Sequence, residues 1–349
     1  MTNSKADSNF RASPPEIFTY HNSLWHRCMT IKEAGYRMTS FSHIHTETPQ
    51  ACEAKRDDMR RLHIKILRHV FRFIAPYAFG PKHQDIWPIG RFLAKVIGKS
   101  TIDTCSNDGS WICFPLPIYT MYFLYGPDIK KYNVDNLTPI FRKNIIPGTV
   151  VIDVGASCGQ EIVELSKAVG NSGTVYAFEP SKSFNALIRT VSLNDLTNVV
   201  CVKAGCGNEN GYFKEADQKE YYVGANTLYG SSGTPIVRID DFLKFIGEER
   251  PVSLIKIDTD GFELEVTQGA TETIKNGNSC VVAEFEKQFS YSGLNGKDVL
   301  KEYNALGYDI SKIQTSEIKI SEEEFDNYLS DINSKHNMIA HDLVLRRKT

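Results

Sequence analysis

Several features that define other protein classes are missing from this 349-residue sequence. No run approaches the roughly 18 consecutive apolar residues of a membrane-spanning helix. Residues 1–11 are polar and lack the apolar core of a signal peptide. The eight cysteines include no C-x-x-C pair, so a zinc finger is unsupported and no metal site is predicted. Their scatter is typical of a reduced chain, and we expect a cytoplasmic globular protein without a transmembrane segment.

Two further absences limit the chemistry. No histidine occurs between His83 and His336, so a general base in that stretch has to be a carboxylate, a lysine or a tyrosine. His43 and His45 would have to fold over the site to serve instead. The turn after Val154 also lacks the G-x-G-x-x-G motif of dinucleotide folds and the lysine of a P-loop, so it has no phosphate-cradling triplet.

The segment Val150–Pro180 has the pattern of one β-α-β unit. An apolar strand leads into Asp153-Val154-Gly155-Ala156-Ser157-Cys158-Gly159, a helical pattern follows, and Glu179 stands after the next apolar strand. Small residues let the backbone approach a nucleoside, and the acid takes two ribose hydroxyls. The D-x-G-x-x-x-G spacing, with an acid beside the turn, suits a ligand with an amino cation, as in S-adenosylmethionine. The alternative is a glycine turn in an α/β fold that binds no nucleotide.

Strands alternate with helices from Thr149 onward, which predicts a doubly wound, mostly parallel α/β sheet. We assign residues 141–349 to this domain and residues 1–140 to a partly helical N-terminal extension. Within the extension, Asn107-Asp108-Gly109 predicts a hairpin near 101–114. Near the other end, Ser321-x-x-Glu324 predicts a capping box that opens a helix.

Charge is unevenly distributed along the chain. Residues 1–148 carry 20 Lys and Arg against 12 Asp and Glu, whereas residues 149–349 carry 20 against 30. The basic excess concentrates in Lys55–Arg72, where apolar residues recur at helical spacing. One interpretation is a cationic helix that faces an anionic lipid or a nucleotide-linked substrate; the other is a helix that buries one apolar stripe.

Acidic residues follow several of the predicted strands, where ligands of such sheets bind. Asp258 and Asp260 come after the strand Leu254–Ile257, and Glu284 ends the strand that begins at Cys280. Asp260 has the alternative role of a helix N-cap, and Glu263 that of a charge partner for the helix dipole. A divalent ion held by Asp258, Asp260 and Glu284 would lower the pKa of an acceptor hydroxyl, but three acids near one turn are not a metal signature.

Together these motifs resemble the FkbM family of S-adenosylmethionine-dependent methyltransferases over about residues 140–315. The matching segments, in order, are Val151–Ala156, Val175–Pro180, Leu193-Asn194, Asn198-Val199, Val237–Phe242, Leu254–Glu263, Gly269-Ala270, Ala283-Glu284 and Gly307-Tyr308. The resemblance implies a seven-stranded, Rossmann-like class I methyltransferase fold. It also implies O-methylation of sugar or polyketide-type hydroxyls, with the cofactor on Asp153, Gly155 and Glu179.

The sequence departs from the family pattern at two positions. Ser157 stands where the family usually has asparagine, and Asp260 stands where it has glutamate. These changes keep the hydrogen-bonding capacity but leave the substrate geometry open. After the third strand, residues 204–207 offer no acid for the adenine amino group, so backbone carbonyls or Asn208 would serve.

These observations predict an O-methyltransferase that acts on a small-molecule hydroxyl. The predicted cofactor-binding residues are Asp153, Gly155, Ala156, Gly159, Glu179, Pro180 and Asp258. The predicted catalytic residues are Asp258, Glu284 and Asp260. Two alternatives remain: a cofactor-binding module that has lost methyl transfer, and a nucleic-acid methyltransferase that uses the basic Lys55–Arg72 helix, although an acidic catalytic half repels a polyphosphate backbone.

Overall fold

The computed structural model describes residues 15–21, 24–28, 42–44, 101–105, 109–115, 137–213, 229–230, 233–285, 294–313, 317–334 and 341–348. The basic helix predicted for Lys55–Arg72 lies outside these residues. No helix in the described ranges is long and apolar enough to cross a membrane.

A large mixed sheet forms the centre of the protein. The strands of the described residues are β1 Glu16–His21, β2 Leu24–Cys28, β3 Ser42–Ile44, β4 Thr101–Cys105, β5 Trp111–Pro115, β6 Val150–Val154, β7 Thr174–Phe178, β8 Val199–Lys203, β9 Gly205–Cys206, β10 Gly211–Phe213, β11 Tyr229–Gly230, β12 Pro235–Val237, β13 Val252–Ile257, β14 Cys280–Phe285, β15 Tyr308–Ile313, β16 Glu317–Ile320 and β17 His341–Arg347. The order in the large sheet is β16-β15-β17-β14-β13-β6-β7-β8-β1-β2-β3.

This order confirms the doubly wound fold and corrects its size. The strands β14, β13, β6, β7 and β8 are parallel neighbours, and β17 and β15 complete the expected seven strands with antiparallel pairing. Four more strands extend the sheet to eleven, with β16 at one edge and β1–β3 at the other. The prediction of seven strands is therefore too small, because the pairing of segments distant in sequence leaves no local signal.

Helices cover both faces of the sheet. They are α1 Thr138–Asn144, α2 Ile162–Val169, α3 Phe184–Leu193, α4 Ile239–Ile246, α5 Glu263–Gly269, α6 Thr271–Gly277, α7 Gly296–Ala305 and α8 Phe325–Ser334. Residues on β6 alternate between the two faces: Val151 packs with α1–α3, whereas Ile152 packs with α4–α8. Since both faces of the sheet are buried, the sequences of the parallel strands are nearly continuous apolar runs. The predicted capping box is present at Ser321 and Glu324.

The helices α5 and α6 follow each other directly, with a break at Ala270. The reason is a side chain from another helix: the carboxylate of Asp240 accepts hydrogen bonds from the backbone N–H groups of Glu272 (3.1 Å) and Thr273 (2.8 Å). These N–H groups lie in the first turn of α6, where a helix has no internal partners for them. Asp240 thus caps a second helix start that the local sequence does not indicate.

The N-terminal residues that the structure describes contact the large sheet and its helices. Strand β1 pairs antiparallel with β8, with Glu16 opposite Lys203. The predicted hairpin is confirmed as β4–β5 and is bonded to α3: the amide nitrogen of Trp111 donates to Asn194 (2.8 Å), and that of Cys113 donates to Thr190 (3.0 Å). The division at residue 140 stays a prediction.

Candidate active site

A cavity of about 240 Å³ lies at the carboxyl ends of the parallel strands. Its walls come from the turns after β6, β7 and β13, from β9 and β10, and from the end of β14. Six of the predicted site residues line it: Gly155, Glu179, Pro180, Asp258, Asp260 and Glu284. The alternating strands and helices therefore bring together most of the residues that the sequence suggested.

Three predicted cofactor residues do not line this cavity. Asp153 is fully buried. Ala156 packs in the core on the side of α1–α3. A Cβ at Gly159 would come within 3.0–3.2 Å of side chains of Ile162, Leu187 and Thr190, so this glycine allows the turn to pack against the helices. Contact of these three residues with a cofactor stays a prediction, and in the structure Ala156 and Gly159 have packing roles.

Glu179 joins the glycine turn to the loop after β7. One carboxylate oxygen accepts a hydrogen bond from the backbone N–H of Ser157 (2.8 Å), and the other accepts one from that of Ser181 (2.7 Å). Burial raises the pKa of Glu179, and the hydrogen bonds from Ser181 and Ser157 oppose that rise. The two backbone bonds fix the carboxylate at the cavity wall, where the sequence predicted a partner for ribose hydroxyls.

Gly155 brings the first turn against the neighbouring one. Its φ is +78°, and a Cβ there would lie 1.7 Å from the carbonyl oxygen of Asp258. The absence of a side chain thus serves contact between two protein turns as well as access to the cavity. A larger residue would disturb the backbone of Asp258 before it met any ligand.

Lys256 is a site residue that the sequence analysis missed. It lies within β13, its side chain is only 3% exposed, and its Nζ is 3.1 Å from Asp258, 3.7 Å from Asp153 and 3.8 Å from Glu161. Burial alone would lower the pKa of Lys256, but these carboxylates outweigh burial and hold the pKa well above its ordinary value. A single lysine in the otherwise apolar run Leu254–Ile257 was the available signal.

Asp258 and Glu284 form a hydrogen-bonded carboxyl pair on neighbouring strand ends. The position of Asp258 in the cavity wall, where it is only partly exposed, acts to raise its pKa, but the Lys256 ammonium and the hydrogen bond to Glu284 hold the pKa below the usual value. Burial, together with the charge of Asp258, raises the pKa of Glu284 to about 11. The negative charge is therefore favoured on Asp258 and the proton on Glu284, a pattern typical of acid–base sites.

The turn that carries Asp258 and Asp260 is held by Glu263. One oxygen of Glu263 accepts from the backbone N–H of Thr259 (3.0 Å), the hydroxyl of Thr259 (2.9 Å) and the backbone N–H of Gly261 (3.1 Å). The residue that precedes α5 is Phe262, and no side-chain cap occurs there. Asp260 therefore does not stand at the N-cap position, and Glu263 has a larger role than a partner for the helix dipole.

Part of the cavity wall is apolar. It contains Cys206, Phe213 and Phe262, and the rings of the two phenylalanines meet edge to face with centroids 6.0 Å apart. Asn208, the side-chain candidate for an adenine contact, instead donates to Gln268 (3.0 Å) and does not line the cavity. The residues that the structure describes contain no cluster of three or more acidic, histidine or cysteine side chains placed to hold a metal ion.

The residues that line the cavity all fall within the part of the chain that matches a known protein family. Residues 153–310 match the model of the methyltransferase FkbM domain, whereas no curated protein matches the chain. Among solved structures, a methyltransferase FkbM from Methylobacillus flagellatus KT is 12% identical; the alignment covers 74% of this chain and 70% of that one, with a TM-score of 0.37.

Two other solved structures have similar sequence identities and TM-scores. A SAM-dependent O-methyltransferase from Thermotoga maritima is 12% identical, with 74% of this chain and 82% of that one covered and a TM-score of 0.34. A putative rRNA methylase from Clostridium thermocellum is 10% identical. The alignment covers 61% of this chain and 93% of that one, with a TM-score of 0.35. The matched segment, residues 153–310, is therefore a methyltransferase domain of the S-adenosylmethionine-dependent FkbM type.

Proposed function

We propose that this chain is an O-methyltransferase that methylates a hydroxyl group of a small molecule, such as a sugar or a polyketide. The observation that carries the proposal is the Asp258–Glu284 pair at the cavity wall, with Lys256 beside it. An ionised carboxylate at the end of a central strand is a suitable acceptor for a hydroxyl proton. It lies in the same cavity as Glu179, the predicted ribose ligand.

The residues of the cavity fit S-adenosylmethionine. Glu179 presents an oriented carboxylate to a ribose, and the wall of Cys206, Phe213 and Phe262 suits an adenine ring. Among the described residues, neither carboxylate oxygen of the buried Asp153 has a hydrogen-bond partner. Glu161 also faces the cavity, so the site offers negative charge to a cofactor that carries two cationic groups.

The protein's part in the reaction is positioning and proton transfer. When bound, S-adenosylmethionine supplies the methyl group. Alignment of acceptor and donor in one cavity accounts for much of the rate. Asp258 takes the proton that the acceptor hydroxyl loses, and general-base assistance of this kind contributes about 10²–10⁴-fold. Burial and the charge of Asp258 favour the protonated form of Glu284, so Asp258 is the better proton acceptor of the two.

The first test is cofactor binding in a variant of Glu179. In Glu179→Ala we expect S-adenosylmethionine affinity, measured by calorimetry, to weaken by about 1.5–3 kcal/mol, the scale of hydrogen bonds to a charged group. The matched control is Glu249→Ala, because Glu249 is an exposed acid ahead of β13, at the other end of the strands. Thermal unfolding of both variants shows whether they stay folded. Unchanged affinity in folded Glu179→Ala would remove the ribose assignment.

The second test is methyl transfer from labelled S-adenosylmethionine to a panel of glycosides and hydroxylated polyketides. We expect label in at least one hydroxyl acceptor. Tight cofactor binding without transfer to any acceptor in a broad panel would instead support a binding module. Transfer to RNA, with binding that falls steeply with salt, would support the nucleic-acid alternative.

A further inference from the structure

A lysine in the middle of a parallel sheet has a high energetic cost unless its charge is matched. Lys256 lies on β13 between Ile255 and Ile257, both fully buried, and its own side chain is 3% exposed. Removal of an ammonium from water costs several kcal/mol unless opposite charges and hydrogen bonds compensate. The surroundings of Lys256 therefore have to supply that compensation.

Three carboxylates from three different elements meet the Lys256 ammonium. Asp153 comes from β6, Glu161 directly precedes α2, and Asp258 follows β13; the Nζ–oxygen distances are 3.7, 3.8 and 3.1 Å. Among the described residues that line the cavity, Lys256 is the one cation. Its charge is thus shared between the cofactor side, with Asp153 and Glu161, and the acceptor side, with Asp258.

The shortest of these contacts, from Lys256 to Asp258, favours ionisation of one member of the carboxyl pair. Lys256 donates a hydrogen bond to the Oδ2 of Asp258 (3.1 Å), and Glu284 meets Asp258 from the neighbouring strand. Two adjacent carboxyl groups cannot both be ionised without a large repulsion. The ammonium lies next to Asp258, so the negative charge is favoured on Asp258 and the proton on Glu284.

We propose that Lys256 is a positioning residue for methyl transfer: its ammonium orients Asp258 and keeps it the ionised, proton-accepting member of the Asp258–Glu284 pair. This inference rests on the proposed O-methyltransferase function and concerns the same cavity. Lys256 acts through Asp258 and not on the acceptor.

The step that Lys256 assists is balanced in atoms and charge. The acceptor oxygen forms a bond to the methyl carbon, and the carbon–sulfur bond breaks with its electron pair left on sulfur. The hydroxyl proton passes to Asp258, whose negative charge is thereby neutralised. A sulfonium cation and a carboxylate become a neutral thioether and a neutral acid.

Other charged groups also face these residues. Glu284 is approached by Asp342 of β17 and Glu263 of α5, and Asp153 is approached by Glu179. All of these groups are acidic, so none replaces the ammonium. Without Lys256, the neighbouring acids Asp153 and Glu179 favour protonation of Asp258. An opposite charge within about 4–6 Å lowers the pKa of a carboxyl by about 1–3 pH units, and loss of Lys256 should raise the pKa of Asp258 by that amount.

The direct experiment is a carboxyl ¹³C NMR titration of protein labelled at aspartate, with the Asp258 signal assigned by its loss in Asp258→Asn. In the wild type we expect Asp258 to titrate below the ordinary value of about 3.9. In Lys256→Met, which keeps chain length and removes charge, we expect the titration to move up by about 1–3 pH units. The exposed Lys301→Met is the control and should leave the Asp258 titration in place.

This titration needs neither cofactor nor acceptor, so it separates the role of Lys256 from the proposed function. An unshifted Asp258 titration in folded Lys256→Met overturns the proposal. If that variant does not fold, the wild-type titration decides: Asp258 protonated at pH 5, or Glu284 ionised at pH 7 in glutamate-labelled protein, also overturns it. Absence of cofactor binding by the wild type would instead remove the proposed function.

With an active acceptor, the pH dependence of kcat gives a second measurement. The acidic limb of the profile should move to higher pH in Lys256→Met by the same 1–3 units and should return towards its wild-type position in Lys256→Arg. A lower kcat with an unmoved limb would mean that Lys256 supports the fold only, and it would contradict the proposal.

Discussion

Asp153 and Asp258 end neighbouring parallel strands, yet their environments are opposite. Asp153 is 0% exposed, whereas the side chain of Asp258 is 42% exposed and lines the cavity. The register explains the difference: Asp153 lies opposite Lys256, and Asp258 stands two residues further along, about 6–7 Å nearer the edge at ~3.3 Å per residue. An acid at a strand end is thus a ligand residue or a buried ion-pair partner, depending on its level in the sheet.

The largest expected effect separates these two aspartates. In Asp258→Asn the proton acceptor is lost while the shape is kept, so turnover should fall by about 10²–10⁴-fold with a much smaller change in cofactor affinity. In Asp153→Asn the affinity should fall, and kcat at saturating cofactor should stay within about tenfold. Steady-state kinetics and calorimetry on both variants provide the comparison.

Equal losses of turnover in the two variants would mean that the position of an aspartate along its strand does not determine its role in catalysis. Full activity of Asp258→Asn across the acceptor panel would rule out its role as the base and would leave Glu284 as the remaining predicted carboxylate on that wall.

The second expected effect concerns the contact between the two turns. In Gly155→Ala the new Cβ overlaps the carbonyl oxygen of Asp258. This overlap should lower the free energy of unfolding by about 1–3 kcal/mol, in addition to the cost of an alanine at positive φ. Gly247→Ala is the matched control: Gly247 also has a positive φ, +69°, but a Cβ there meets nothing within 4 Å. Urea denaturation of the two variants measures the difference, and equal destabilisation would contradict the contact.

The third expected effect concerns the ionisation of Glu263, the residue that holds the Asp258 turn. Burial raises the pKa of Glu263 to about 7, so between its unfolded value and pH 7 the native state binds more protons than the unfolded state. The contribution of this carboxyl to stability is therefore present at low pH and declines as pH rises to 7, by at most about 1.4 kcal/mol per pH unit.

Glu263→Gln does not titrate and provides the reference. The unfolding free energy of the wild type minus that of Glu263→Gln should fall between pH 5 and pH 7 and then level off. A difference that is flat over this range, or that rises, would show that Glu263 is ionised in the native state throughout.

The sequence contains enough information to place the acids at the strand ends. It does not show which of them is buried in the sheet and which lines the cavity. Apolar runs locate β6, β7, β13 and β14, and the parallel topology brings their carboxyl ends to one edge. The register between β6 and β13 depends on packing across the sheet, so the burial of Asp153 was not predictable. Lys256 was missed because a charged residue in a buried strand becomes meaningful only when its three partners from distant segments are known.

The rest of the fold shows the same limit. The turn Asn107-Asp108-Gly109 and the capping box at Ser321 are local signals, and both predicted elements are present. The break at Ala270 depends on Asp240, and the enlarged sheet depends on pairing between β1 and β8. Structure that depends on contacts between distant parts of the chain has no periodic pattern from which to predict it.

The pairing of β1 with β8 also has a consequence for the order of folding. Glu16 pairs with Lys203, so β1 is synthesised long before its partner strand β8. It can pair only after the parallel strands have assembled. Contacts of such high sequence separation close large loops and form late. Until then the edge of β8 presents unpaired backbone groups, which other chains can join. Aggregation during refolding should therefore compete with this last pairing step.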